Sequence, residues 1–461
     1  MAMLGVTHSV CPSCRAVVPA KVVTADDGGV WFHKVCPDCG PAEAFVHGDV
    51  DAYLAAQRFV KPAWVPRQHA GDPSRPCPEG CGQCDRHEQH LCMPIIEITS
   101  RCDLACPVCL VNAGRDWDMT VQEFRGVLDA LLAAEGQIDV LNLSGGEPLI
   151  HPQLLELVDE AVSRNGIVCV SISTNGLALL ERPDLLAELN RRQVVISLQL
   201  DGFTSRPYEV LRGVDVLDEK RRILAMLAEA NARTSLTMTA ARGVNDDQFP
   251  AMLEYLFDHE HIASMMVQPV AFEGRGASLS GRRQRLTIPD VIDALGRAGH
   301  PAVSADDFAP LPCSHPLCFS LAFYLTLDGG GAVALNQLLK ADELMDSVSN
   351  RAIFGLDAQE YERLQAMVYD LWSAPAGAVP QADAVMTTLR RILRELSCGC
   401  FDARRTFALA ERRVKSIFIH AFQDADTFDL ARVRRCCNAY PQPDGTSMPA
   451  CVFNVLRRGR P

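Results

Sequence analysis

No run of eighteen or more apolar residues occurs anywhere in the 461-residue chain, so nothing in it is long enough to cross a bilayer as a helix. The longest candidate, Leu317 to Leu325, is far too short. A secretory apolar core is also missing: the chain opens Met1-Ala-Met-Leu-Gly-Val-Thr-His8 and runs straight into a cysteine pair. A cytoplasmic location is expected, membrane-peripheral only if the substrate is a lipid. Basic charge is scarce as well. The formal net charge of -13 argues against a nucleic-acid partner, which needs an excess of Lys and Arg. A cluster of Arg432, Arg434, Arg435, Arg457, Arg458 and Arg460 reads as a solvated face. Hydrophobic content of 48% describes a globular chain, long enough to hold a barrel-sized unit with appendages.

Cysteine is abundant, with 19 residues. In a long chain without an export signal, grouped as CxxC and CxxxCxxC, they read as metal thiolates and not as disulfides. Cys11-Pro-Ser-Cys14 and Cys36-Pro-Asp-Cys39 are two CPxC knuckles, a strong tetrathiolate signal that suits zinc and a lone rubredoxin-type iron equally. The ion's expected task is to staple a small module. Cys77, Cys81 and Cys84 repeat the CxxxCxxC spacing, with Cys92 available as a fourth donor. A closed auxiliary [4Fe-4S] cluster is the expectation there, with His87 or His90 as lesser ligand candidates and zinc as the alternative. The second copy, Cys102, Cys106 and Cys109, has no fourth cysteine within its loop. Three irons of a cubane are then held and one is left open to a small chelating ligand.

From residue 94 onward strand and helix patterns alternate. Apolar runs at Ile95 to Thr99, Ile138 to Leu143, Ile167 to Ser173, Gln193 to Leu200, Thr234 to Ala240 and Ser264 to Val270 are separated by helical stretches. One of these opens with the capping box Thr120-Val-Gln-Glu123. Six strands with intervening helices imply a parallel sheet, in which functional loops gather at the strands' C-terminal ends. The cluster loop follows strand one and Ser144-Gly-Gly-Glu-Pro148 follows strand two; Thr174-Asn175-Gly176 follows strand three and Ser197-Leu-Gln199-Leu-Asp201 ends strand four. Tandem glycines allow close backbone approach to a ligand, and Glu147 beside them can accept from an ammonium group. Cys169, mid-strand, reads as an ordinary core thiol.

The CxxxCxxC loop and the GGEP segment resemble those of the radical S-adenosylmethionine (SAM) enzymes. That resemblance implies a partial (β/α)6 barrel, a SAM-binding [4Fe-4S] cluster on Cys102, Cys106 and Cys109, and SAM itself as cofactor. It assigns the methionyl amine to Gly145, Gly146, Glu147 and Pro148, and the carboxylate and ribose to Thr174, Asn175, Ser197, Gln199 and Thr239. One departure is Val108, where the family commonly has an aromatic residue before the third cysteine. The whole layout resembles a narrower branch, the tetraether lipid synthases and class D radical SAM methyltransferases. Its marks are the CPxC pair, the linked cysteines 77 to 109, Gln268-Pro-Val-Ala-Phe-Glu-Gly-Arg275, Cys313-Ser-His-Pro-Leu-Cys318 and a terminal Cys436-Cys437 with Cys451.

This branch implies a second auxiliary cluster, assigned to Cys313, Cys318, Cys437 and Cys451, with Cys398 and Cys400 next in line. The expected domains are a metal module at 1–60, a linker and cluster segment at 61–93, the barrel at 94–300 and an α-rich cysteine-containing domain at 301–461. The expected partners are an electron donor of ferredoxin or flavodoxin type and a lipid or other small-molecule substrate. The chemistry implied is hydrogen abstraction from an sp3 carbon by a 5'-deoxyadenosyl radical, then carbon–carbon bond formation by methylation or by alkyl coupling. No individual catalytic side chain is assigned. A plain multi-cluster electron carrier is the contrasting reading, and it has no use for GGEP or an incomplete cluster.

Overall fold

Four antiparallel strands open the computed structural model: β1 (Ala2–Val10), β2 (Val17–Thr24), β3 (Val30–Cys36) and β4 (Gly40–His47), paired in sequence order. The structure describes residues 1–458 except 60, 112–115, 280–284, 313, 352–357, 374–380 and 397–402. Cys313, Cys398 and Cys400 therefore lie outside the described residues. The sheet is closed below by α1 (Val50–Arg58), whose N-cap Asp49 accepts from the Ala52 amide. Residues 61–94 carry no regular element, as the prolines of that stretch require.

The central sheet then begins. β5 (Ile95–Thr99), β6 (Ile138–Gly145), β7 (Ile167–Thr174), β8 (Val195–Gln199), β9 (Thr234–Ala240) and β10 (Ile262–Pro269) are parallel neighbours in chain order. Their crossovers contain α2 (Val121–Glu135), α3 (Leu154–Ser163), α4 (Leu177–Glu181), α5 (Pro183–Arg191), α6 (Ser205–Arg212), α7 (Leu217–Glu229) and α8 (Phe249–Asp258). The expected capping box forms, with Thr120 Oγ1 accepting from the Glu123 amide at 3.2 Å and Glu123 accepting from the Thr120 amide at 2.8 Å. Phe124, Val127, Leu128 and Leu131 are the buried face of α2. Strand β8 starts two residues later than its apolar run, because Gln193 sits at φ 57° in the preceding turn.

The sheet does not stop at residue 300. After α9 (Ile288–Arg297), short β11 (Ala309–Pro310) and β12 (Phe319–Thr326), with β13 (Ala332–Ala334) beside it, pair antiparallel. Helices α10 (Ala341–Val348), α11 (Ala358–Ser373), α12 (Ala382–Leu396) and α13 (Ala403–Arg413) follow. Then β14 (Val414–His420) inserts between β10 and β12, parallel to the first and antiparallel to the second. The α-rich region thus adds two long strands to the barrel sheet. Its last segment, α14 (Leu430–Arg434), β15 (Ala439–Pro441) and β16 (Ser447–Pro449), runs beside β5, with the Cys92 amide bonded to Cys437 O at 3.0 Å and Tyr440 packed on Ile95. It fills the seam that an open barrel leaves.

A polar node ties these parts together. Asp424, fully buried, accepts from Arg285 at 2.6 Å and from the amides of Phe272 and Thr427. Beside it Glu273 accepts from ribbon residue Arg15 at 2.8 Å, and ribbon Lys34 donates to Ala425 O at 2.9 Å. Removing one partner of a buried ion pair strands the other charge at a cost of about 3–5 kcal/mol. Arg285→Met is expected to lower unfolding free energy by about that amount in a urea titration; a loss below about 1 kcal/mol would show that Asp424 is supported by its amide donors alone.

Candidate functional site: the barrel mouth and its thiolates

Gly145 and Gly146 end β6 against the backbone that leaves β5. A Cβ on Gly145 (φ +129°) would lie 2.2 Å from Thr99 O, and one on Gly146 would lie 1.9 Å from Arg101 O. Only glycine permits this approach, which the amides exploit: Gly146 N–H donates to Thr99 O (2.8 Å) and Glu147 N–H to Arg101 O (2.7 Å). The root of the Cys102 loop is thereby fixed to the exit of the second strand. Glu147 is buried, and its carboxylate accepts from Thr174 Oγ1 (2.6 Å), Leu149 N (3.0 Å) and Asn175 N (2.8 Å). Burial pushes its pKa up to about 7 against those three donors. Asn175 in turn donates to Asp103 of the cysteine loop at 2.6 Å.

The other strand ends are joined by groups that sequence reasoning missed. Lys220, from α7 and fully buried, donates to Asn175 O (2.5 Å), Gln199 O (2.7 Å) and Gln199 Oε1 (3.0 Å), with burial pulling its pKa down to about 7. Arg212, closing α6, clamps buried Asp201 with bonds of 2.6 and 2.8 Å and reaches Thr239 Oγ1 at 2.9 Å. Its charge also acts on Cys106. In the sequence a basic residue at a helix C-terminus reads only as a favourable charge on the helix dipole. Ser197 is bonded to Thr237 across the strands at 3.1 Å. The predicted residues of strands two to five therefore do converge on one mouth.

Cys102, Cys106 and Cys109 line a cavity of about 380 Å³ that fills the barrel, a size typical of small-molecule sites. Burial raises the Cys102 thiol to about 12, reinforced by the charges of Asp103, Glu147 and Cys106. Such a loop needs a bound cation to hold its thiolates, and metal coordination inverts that balance. The turn after β10 closes over the loop: Arg275 N–H donates to Cys109 O at 3.1 Å, and Gly274 (φ +60°) leaves room for that carbonyl. The cavity wall alternates inward-facing polar side chains, among them Asn142, Ser171, Ser197, Thr237 and Ser264, down to a floor of Val140, Cys169, Val195 and Phe407. Cys169 is a buried thiol, raised to about 11 by its burial, but it also forms part of that floor. The runs Leu317 to Leu325 and Ile417 to Phe422 turn Phe319, Phe418 and Phe422 toward the cavity.

The remaining thiols form three groups. The ligand atoms of Cys11, Cys14, Cys36 and Cys39 all lie within 4.8 Å of one another, compact enough for one tetrahedral ion. Burial disfavours the Cys11 thiolate, but bonds from the Cys14 and Ser13 amides and from neighbouring thiols outweigh it and bring its pKa down to about 6. Cys92 packs with Cys318 and Cys437 in one apolar cluster, whereas Cys77 and Cys81 pack at the edge of the cluster that contains Cys451. The Cys92 amide is drawn there by Cys437 O. Cys436 stands between the two groups, a charged neighbour of Cys81 and of Cys451, Cys437 and Cys318. His87 Nε2 is bonded to Cys436 O (2.8 Å), and His90 Nε2 to Asn350 O (3.0 Å) with Cys92 Sγ at 3.7 Å.

If the Lys220 ammonium is what binds strand ends three and four together, Lys220→Met leaves three half-buried acceptors without their donor. A loss of roughly 2–4 kcal/mol in unfolding free energy is expected, read from urea unfolding. An unchanged midpoint would show the strand ends to be held by the sheet alone.

Comparison with known proteins agrees with this geometry. Residues 96–256 match the Radical SAM superfamily model, and residues 3–48 match the HMPTM N-terminal zinc ribbon domain. The chain is 25% identical to the 7,8-dihydro-6-hydroxymethylpterin dimethyltransferase of Methanocaldococcus jannaschii, over 98% of this chain and 94% of that relative. It is 33% identical to the GTP 3',8-cyclase of Chlorobaculum tepidum, over 38% of this chain and 53% of that enzyme. Among solved structures, Streptococcus suis SuiB bound to its precursor peptide SuiA is similar at 15% identity, with a TM-score of 0.38 over 45% of each chain, a likeness that carries no argument by itself. Among the described residues no helix is long and apolar enough to cross a membrane. The chain carries a radical SAM domain over residues 96–256, with the [4Fe-4S] cluster, SAM and external reductant that this implies.

Proposed function

We propose that this radical SAM enzyme is a methyltransferase acting on a polar heterocyclic small molecule of the pterin class. The observation that carries the reading is the cavity joining the Cys102 loop to Asn142, Ser171, Ser197, Thr237 and Ser264, a set of amide and hydroxyl groups within an otherwise largely apolar wall. Burying an alkyl chain against such a wall would leave polar groups without ligand partners. A ring bearing amino and carbonyl groups supplies those partners, and the end-to-end similarity to a pterin dimethyltransferase points the same way.

When bound, the cluster and SAM supply a 5'-deoxyadenosyl radical capable of taking hydrogen from an unactivated carbon. The chain's own part is to bind, align and exclude water. Cys102, Cys106 and Cys109 hold the cluster. The Gly145–Glu147 backbone and the Glu147 carboxylate receive the SAM amine, and Pro148 starts the short helical turn behind them. Thr174, Asn175, Ser197, Gln199 and Thr239 offer the carboxylate and ribose contacts from the ends of strands three to five. The Arg212–Asp201 clamp and Lys220 keep those ends in register.

Two auxiliary clusters remain part of the reading. Cys77, Cys81 and Cys84 serve one, with Cys92 as the fourth donor that their spacing offers and Cys436, a charged neighbour of Cys81, as the alternative. Cys318 and Cys437 serve the other; both are buried, and Asn438 beside them keeps an unpartnered Nδ2 donor, as expected where cluster sulfur accepts hydrogen bonds. Cys451 and Cys313 complete that site. The Cys11 quartet holds zinc or a single iron.

Alkyl coupling is the second reading, favoured by the rings of Phe319, Phe407, Phe418 and Phe422 on the cavity wall. Anaerobic reaction of the reconstituted enzyme with dithionite, 7,8-dihydro-6-hydroxymethylpterin, SAM and, as the separate one-carbon donor, either a methylene-bearing reduced folate or a second equivalent of SAM separates the two, because the SAM cleaved to the radical keeps its methyl on methionine. A product heavier by one methyl group, formed with 5'-deoxyadenosine, is expected. The triple change of Cys102, Cys106 and Cys109 to Ala is expected to abolish both, and Gly146→Ala to lower both by at least roughly 100-fold, since the cluster loop must shift. Joined chains from an added lipid, with no change in the pterin, would sink the methylation reading.

A further inference from the structure

Two buried arginines stand beside cluster cysteines, and their charges are handled differently. Arg212, near Cys106, is clamped by the Asp201 carboxylate through two bonds. Arg432 is buried at 5% exposure, and among the described residues its side-chain hydrogen bonds go to Cys318 Sγ (3.3 Å) and Ala421 O (2.8 Å), neither of them a carboxylate. Asp429, three residues away in the chain, acts on Arg432 through its charge but accepts its hydrogen bonds from Thr7 Oγ1 (2.6 Å) and the Ala431 amide (2.9 Å).

We infer that Arg432 is a positioning residue that raises the reduction potential of the auxiliary cluster held by Cys318 and Cys437. Taking up an electron makes an already anionic iron–sulfur group more negative. A fixed cation hydrogen-bonded to one of its sulfurs, in surroundings that water does not screen, stabilises that reduced state. The Ala421 carbonyl holds the guanidinium plane so that Nε faces the sulfur. At the Cys102 loop the same device is cancelled by Asp201, which leaves that cluster the more strongly reducing of the two. The asymmetry orders the centres: an electron residing on the Cys318 cluster is held there, and one on the SAM cluster is released. This inference rests on the ligand assignment proposed above for Cys318 and Cys437.

The test uses the full chain, reconstituted anaerobically with iron and sulfide and titrated with dithionite under EPR. In Arg432→Met the midpoint of one cluster is expected to move to more negative potential while the other midpoints stay in place and the iron content is unchanged. Arg432→Lys, which keeps the charge, is expected to retain most of the wild-type midpoint. If Arg432→Met keeps its iron and every midpoint matches wild type, or if neither variant assembles the cluster, the residue is structural and the inference falls. The ligand assignment is tested separately: Cys318→Ser with Cys437→Ser must lose about four irons, and unchanged iron would overturn the assignment and the inference with it.

Discussion

Everything at the barrel mouth depends on two glycines touching a neighbouring strand's backbone. With the Gly145 and Gly146 positions this close to Thr99 and Arg101 carbonyls, the cysteine loop and the GGEP turn form one rigid corner. Glu147 passes that constraint to strand three through Thr174 and Asn175, and Lys220 carries it to strand four. The site is therefore built by direct contact between successive strand exits. No long loop has to find its place, which suits chemistry in which a reactive carbon must be held near contact distance.

The second principle is the treatment of buried charge. Asp201, Asp424 and Glu147 are all removed from water, and each is met by several donors, as burial of a carboxylate requires. Arginine serves in several of the joins between distant parts. Arg212 joins α6 to the fifth strand, Arg285 joins the barrel to the seam, and Arg15 joins the ribbon to both. A planar donor fork that never loses its charge is suited to that task.

The terminal region shows where sequence pattern was informative and where it was not. Its cysteines were visible as metal donors, yet the strands β12 and β14 were hidden inside apolar runs that read equally as core or tunnel wall. They are both, because alternate residues of an inserted strand face opposite sides: Ile417 and Ile419 enter the core while Phe418 and His420 face the cavity. Pairing with β10 is a long-range choice that periodicity does not encode. Likewise the Cys77 to Cys92 spacing offers a complete ligand set, while only the fold shows that the Cys92 amide bonds to Cys437 O and that its side chain packs in the cluster of Cys318 and Cys437.

By itself the sequence determined the alternation of strands and helices, the compact N-terminal thiolate quartet, the incomplete cysteine trio and the glycines beside it, because each is a local pattern with a local physical cause. Only the tertiary structure decided which thiols become neighbours, that Arg212, Lys220 and Arg432 stand beside them, and that the C-terminal segment seals the barrel. Those facts depend on contacts between residues up to several hundred positions apart, where burial and charge compensation, and no spacing rule, select the partner.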